Sequence, residues 1–285
     1  MSVQLIDEQA PQTETLQEEV IPLPPTDLPY DDGEPLESNR HRIGMNILIA
    51  SLHQAYQGRN DYYSSGNMFV YYSSAQVRNK DFRGPDFFVV LNVDGTLERR
   101  SWIVWEEQGR YPDVIVELMS PSTAQQDLNE KKRLYEQTFR TSDYFVYNPF
   151  DSNSLQGWHL GANRKYEEIS PNQHGWLWCP SLELWLGTWQ GELMKENAPW
   201  LRFYDPEDNL VLLPEEVALL EQEKAEREQE RAERERERAN QAESERDRER
   251  ERANLAETVV EEQNQKIQQL REHLQQLGLD PDNLT

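Results

Sequence analysis

Apolar residues are sparse in the first thirty positions and then gather into short blocks between about residues 43 and 213. In "NRHRIGMNILIASLHQAY", Ile43, Ile47, Ala50 and Ala55 recur close to helical spacing, which predicts an amphipathic helix. Short β-rich runs follow: "NMFVYYS", "DFFVVLNV", "SWIVWEE", "DVIVELM" and "DYFVYNP". Between the last two, residues 123–139 predict a helix, with Thr123 and Gln126 placed as a capping box. "LQGWHLGANRKYEEIS" reads as a hairpin turning at 161–163, and "LVLLPEE" closes the block. Helix, strands, helix, strands is an α+β order, here predicted to form a mixed central sheet flanked by helices.

From about Glu215 the pattern changes to one long charged helix. "ERERAN" occurs at Glu235 and again at Glu249, a period of two heptads. One seam position carries Ala218, Ala225, Ala232, Ala239, Arg246, Ala253, Val260, Ile267 and Leu274. The other holds Leu270 and Leu277 near the end but Glu221, Glu228, Glu235 and Glu249 earlier, so the apolar seam is strong only in the last third. Elsewhere Glu-to-Arg pairs such as Glu223–Arg227, Glu230–Arg234 and Glu245–Arg248 support a helix without a partner. The segment is a candidate coiled coil joining copies of this chain, with a solvated single helix as the alternative. The expected organisation is an acidic, Pro-containing tail at 1–28, disordered with polyproline character around Pro22–Pro25, a domain at 29–214, and the helix at 215–285.

Charge sharpens this division. The chain has 29 basic and 53 acidic residues and a formal charge of −24, of which residues 1–37 carry −10, 38–214 carry −5 and 215–285 carry −9. The middle is therefore close to an ordinary globular domain, while the total argues against tight nucleic-acid binding through basic residues alone. Cys179 is the only cysteine, which excludes an internal disulfide and a cysteine-based zinc site. No run approaches the roughly 18 apolar residues of a membrane span, and the acidic N-terminus lacks a signal-peptide pattern, so a cytoplasmic protein is expected.

One residue breaks the hydrophobic pattern. In "YPDVIVELMSPST" the run Val114–Met119 reads as a strand buried on both faces, yet Glu117 lies inside it. A buried carboxylate without a partner costs several kcal/mol. Glu117 could sit at a sheet edge or pair with an arginine, or it could be a metal ligand at the end of a core strand. Mg²⁺ takes one or two carboxylates plus waters. Asp113, four residues earlier on the same face, is about 13 Å away and too far to share an ion. Asp86, in "FRGPDFFVV", begins a different strand and is the better partner. Met119, on the same face two residues on, cannot supply a cation. At about 100° per residue from Leu128, Lys131 falls near 300° and Asp127 near 260°, within the arc of Leu134 (about 240°), Tyr135 (about 340°) and Phe139 (about 20°). Two charges a turn apart on an inward face suggest a site; a simple helix pair worth a few tenths of a kcal/mol is the alternative.

These residues resemble the Uma family of endonucleases, a bacterial group with the PD-(D/E)XK restriction-endonuclease-like fold. "DDGEPLES" with His41, "GPD" at 84–86, "VELMSPST", "DLNEKKRLY" and "DYFVYNP" occur in the family's order over about 28–149. The resemblance implies a Mg²⁺ site of Asp86 and Glu117, with Glu34 at its edge and His41, Asp127 and Tyr135 in support. It also implies that Lys131 replaces the lysine missing at Met119. The chain departs from the family pattern at Asn148, where an acid is usual before Pro149, and at "RTS", where a Gly-Val turn is usual.

Two functions follow as expectations. One is a Mg²⁺-dependent endonuclease acting on DNA, with Asp86, Glu117 and Lys131 catalytic and a basic rim of Arg40, Arg42, Arg78, Lys80, Arg83, Lys132 and Arg133. The other is a catalytically silent nuclease-fold scaffold that assembles through its C-terminal helix, which the acidity and the appended helix favour.

Overall fold

A computed structural model describes residues 28, 38–73 and 82–276. Glu34, Arg78, Lys80 and Leu277 lie outside the described residues, as does the predicted disordered tail apart from Leu28, which packs against a cluster of Phe69, Tyr71 and Ile103. The chain divides into two compact units, Met1–Pro214 and Glu215–Thr285.

In the first unit the order is helix α1 (Asn39–Ala55), then strands β1 (Tyr62–Ser65), β2 (Val70–Tyr71), β3 (Phe82–Arg83), β4 (Phe87–Leu91), β5 (Trp102–Ile103) and β6 (Val114–Leu118). Helix α2 (124–139), β7 (Asp143–Tyr147), β8 (Gln156–Leu160), β9 (Tyr166–Glu168), β10 (Leu177–Cys179), β11 (Leu184–Leu193) and β12 (Glu196–Tyr204) follow. The central sheet runs β1-β4-β6-β7-β8-β9, and β6 and β7 are parallel within an otherwise antiparallel set. This is a mixed α+β architecture. Two three-stranded sheets, β10-β11-β12 and β3-β2-β5, accompany it.

Strand β6 lies between β4 and β7, and all five of its residues are buried. A strand covered on both faces needs a near-continuous apolar run. Its alternate residues serve two cores. Val114, Val116 and Leu118 face α1, through Leu48 and Leu52, and the β10–β12 sheet, through Leu184, Leu186, Leu201 and Phe203. Ile115 and Met119 face α2, through Tyr135 and Phe139, and also Val70 and Trp102. Each side chain fully buried this way contributes roughly 1.5–3 kcal/mol.

Several expectations are corrected. Helix α1 packs Ile43 and Ile47 against Ala198 and Trp200, but its contact with the central sheet is made by Leu48 and Leu52, and Ala55 is exposed. The helix lies between two clusters, so its buried stripe is wider than one face. Its N-cap is Ser38, whose side chain accepts from the His41 N–H. At α2 the N-cap is Thr123 as expected, but its side chain forms no capping box with Gln126, and the reciprocal bonds lie in the turn before the helix. Ser120 Oγ accepts from the backbone of Ser122 and Thr123, both at 3.2 Å, while Thr123 Oγ1 accepts from Ser120 N at 3.1 Å. The β8–β9 hairpin forms, with its loop closed by the Gly161 N–H to Lys165 O bond.

The long β11–β12 hairpin escapes sequence reading. Leu193 pairs with Glu196, leaving Met194 and Lys195 as a two-residue turn with φ of 49° and 67°. Such turns favour Asn-Gly, so Met-Lys gives no signal.

The described part of the second unit is helical: α3 (Pro214–Gln276) begins at the last residue of the first unit, and none of its 63 residues is buried. Its length is about 95 Å at 1.5 Å per residue. Arg227 pairs with Glu223 at 3.1 Å and Arg234 with Glu230 at 3.2 Å. Among the described residues no helix is long and apolar enough to cross a membrane.

Candidate active site

The side chain of Glu117 shares its strand face with Ile115 and Met119, so it points toward α2. On α2, Asp127, Lys131 and Tyr135 stand at i, i+4 and i+8. In a regular α-helix these drift by about 40° per step. Here Asp127–Lys131 and Tyr135–Phe139 are π segments, whose wider i→i+5 turns bring i and i+4 closer to one column. The column meets the carboxylate. Lys131 Nζ is 3.0 Å from Glu117 Oε2, and Tyr135 Oη donates to Oε1 at 2.7 Å. The same ammonium lies 2.7 Å from Asp127 Oδ1. Glu117, Asp127 and Tyr135 are buried to within about 1 % of their surface.

Asp86 arrives from the neighbouring strand. Phe87 pairs with Val116 in the antiparallel β4–β6 ladder, so one further step sets Asp86 beside Glu117. Its Oδ2 accepts the Leu118 N–H at 2.7 Å, and part of its surface stays open to solvent.

The electrostatics are those of three carboxyls around one ammonium. Burial, then the Glu117 charge, pushes the Asp86 carboxyl well above the usual carboxylate range. The same two causes raise Asp127, against the pull of Lys131. Burial works to lower the Lys131 ammonium, but the Glu117 and Asp127 charges outweigh it and the net shift is upward. Burial and the Glu117 charge also push the Tyr135 hydroxyl well up. Of the two plain explanations for Glu117, the sheet edge is excluded by its central strand, and its basic partner is a lysine rather than an arginine.

Asp113 stands at the other end of β6. Its Oδ2 accepts the Leu91 N–H at 2.7 Å and lies 3.7 Å from Arg110, which makes it a strand-end residue. His41 is buried on α1, across the sheet from the Glu117 side chain, with Nδ1 2.8 Å from Ser38 Oγ and its ring 6.3 Å from Phe150. Sequence reasoning missed Tyr144, whose hydroxyl donates to the Asp127 carbonyl at 2.9 Å and so fastens a π segment to β7. The sequence signal is the alternation in "DYFVY", which sets Tyr144 and Val146 on one strand face; the parallel β6–β7 register, with Tyr144 opposite Ile115, makes that the Glu117 face.

Among the described residues, no three His, Cys, Asp or Glu side chains are grouped to hold a metal ion. Asp86 and Glu117 form a pair only. That donor set fits a hard cation that keeps most of its waters.

The first unit is thus a mixed α+β domain in which Asp86 and Glu117 adjoin at the ends of neighbouring strands of the central sheet. The chain belongs to the Uma2 family, whose model, described as "Putative restriction endonuclease", matches residues 3–190. The match extends at both ends past the motif-bearing 28–149, taking in most of the acidic tail but not α3. No curated protein matches the chain. Among solved structures it is similar to "a putative nuclease belonging to DUF820" from Anabaena variabilis, with 14% identity and a TM-score of 0.38 over 54% of this chain and 81% of that one.

Proposed function

We propose that this protein is an endonuclease that hydrolyses DNA phosphodiester bonds with the help of Mg²⁺ held by Asp86 and Glu117. The observation that carries the reading is the buried Glu117 carboxylate, bonded to Lys131 and Tyr135 and facing Asp86 across the β4–β6 pair. A structural ion pair has no use for a third and fourth ionisable group in one pocket. A divalent cation offsets such an excess of negative charge.

Asp86 and Glu117 would hold the cation, which would supply Lewis-acid polarisation of the scissile phosphate and a bound water of lowered pKa. The chain's own residues do the rest. Tyr135 fixes one oxygen of Glu117. Lys131 presents an ammonium where negative charge develops on the phosphate. The Leu118 N–H holds one oxygen of Asp86, which leaves the other for the cation. Of the basic rim, Lys132 is stacked 3.6 Å over the Trp158 ring and Arg40 lies 3.5 Å from Glu196, while Arg133 is exposed on α2 and suits a phosphate backbone.

Calorimetry is the direct test of the cation site. Mg²⁺ titrated into the protein should bind, Glu117→Gln should abolish the heat, and Asp113→Asn should leave it intact. Equal binding by wild type and Glu117→Gln would remove the basis for the site.

Val260, Ile267 and Leu270 on α3 are each about half exposed, and we assign them to self-association of this chain. Removing residues after Leu255 should convert an oligomer to a monomer in sedimentation. An unchanged sedimentation coefficient per unit mass would leave α3 a solvated single helix. The lone buried thiol of Cys179 and the lack of disulfides suit the cytoplasm.

A further inference from the structure

Both oxygens of Glu117 are occupied by donors of this chain, Lys131 Nζ on Oε2 and Tyr135 Oη on Oε1. Tyr135 is fully buried and has no room to leave. The Lys131 ammonium ends a flexible four-carbon stem and has a second partner, Asp127 Oδ1, at 2.7 Å. It therefore bridges two buried carboxylates, one on the strand beside Asp86 and one on the helix.

We infer that Lys131 is a movable counter-ion and Asp127 its positioning residue: the ammonium neutralises Glu117 while no cation is bound, and it stays on Asp127 when a divalent cation takes Glu117. This rests on the cation site proposed above. One ammonium lies between the Glu117 and Asp127 carboxylates, with Asp86 beside Glu117 on the neighbouring strand, so a cation that takes Glu117 displaces the ammonium from one of its two partners and not from both. If Glu117 were the only partner of Lys131, the cation would have to expel a largely buried ammonium, whose side chain is 17% exposed, into an unpaired position. Such an uncompensated charge is costly. Asp127 removes that cost because it already holds the ammonium from one turn away, on a π segment that Tyr144 fastens through its carbonyl. The competing account is that Asp127 merely adds negative charge that attracts the cation directly.

A double-mutant cycle separates the two. Ca²⁺ affinity is measured by calorimetry for wild type, Asp127→Asn, Lys131→Met and the double variant. If Asp127 acts through Lys131, Asp127→Asn weakens Ca²⁺ binding on the order of tenfold with Lys131 present and by less than about twofold without it. The same loss factor in both backgrounds overturns the inference and leaves the cation site standing. Absence of Ca²⁺ binding by wild type overturns both. Because Lys131→Met threatens folding, a crystal structure of wild type with Ca²⁺ provides a second reading. Nζ should remain in hydrogen-bond range of Asp127 and withdraw from Glu117; Nζ retained on Glu117 with the cation bound contradicts the inference.

Discussion

Lys131→Met should destabilise the first unit by about 3–5 kcal/mol at neutral pH, the usual result of removing one partner from a buried ion pair. The loss comes from the groups left behind. Glu117 and Asp127 are both buried, and each would lose the ammonium that lies 3.0 and 2.7 Å away. The pH dependence has a definite sign. The folded-state pKa of Lys131 is raised, so its contribution is complete below the unfolded value near 10.4 and is lost as pH rises through the folded value. On the acid side, Asp86 and Asp127 have raised pKa values, so their ionisation disfavours the folded state as pH rises from the unfolded carboxylate value through the folded one. Acidification relieves that penalty, and more so when Lys131 is absent. The gap between wild type and variant, read as urea midpoints, should be widest near neutrality and narrow toward acid. A gap below about 1 kcal/mol at pH 7, the value of an exposed pair, would mean that the lysine is not holding the cluster together.

Asp86→Asn should move stability and activity in opposite directions. Burial of most of the residue, and then the neighbouring Glu117 charge, disfavour the ionised form of Asp86. An amide removes that repulsion, while its Oδ1 can still accept the Leu118 N–H. Thermal unfolding should shift upward by about 2–4 °C, what ~1 kcal/mol gives in a domain of this size. Cleavage should fall by more than the roughly hundredfold that follows loss of a metal ligand's outer partner. A variant that is less stable than wild type and retains full activity would make Asp86 a structural residue.

The oddity at the centre of the site was legible because strand periodicity is rigid. A charge at Glu117 inside "VIVELM" could point only to one of two cores, and the choice of Asp86 over Asp113 followed from the rise per residue. The column on α2 was only partly legible. A uniform 3.6-residue helix leaves Asp127, Lys131 and Tyr135 about 40° apart from one to the next, and nothing in "DLNEKKRLY" announces the π segments that draw them together. The N-cap at Thr123 was legible but its bonding was not, because "SPST" offers three hydroxyls and Thr123 Oγ1 turns back to the Ser120 N–H instead of capping the helix. The β11–β12 hairpin went unread for want of a turn residue that tolerates positive φ. Helix α3 was the easiest element, since Glu, Arg and Ala at i,i+4 spacing specify it locally and no tertiary contact is required.

The central claim is that Glu117 holds a cation for phosphodiester cleavage. Its most direct test is nicking of supercoiled plasmid DNA in Mg²⁺ by wild type and by Glu117→Gln, with both proteins shown to be folded by circular dichroism. Wild type should nick in Mg²⁺ and cease in chelator, while Glu117→Gln should be inactive at every Mg²⁺ concentration. Nicking by Glu117→Gln at the wild-type rate, or a folded wild type that leaves the plasmid intact in Mg²⁺, would contradict it.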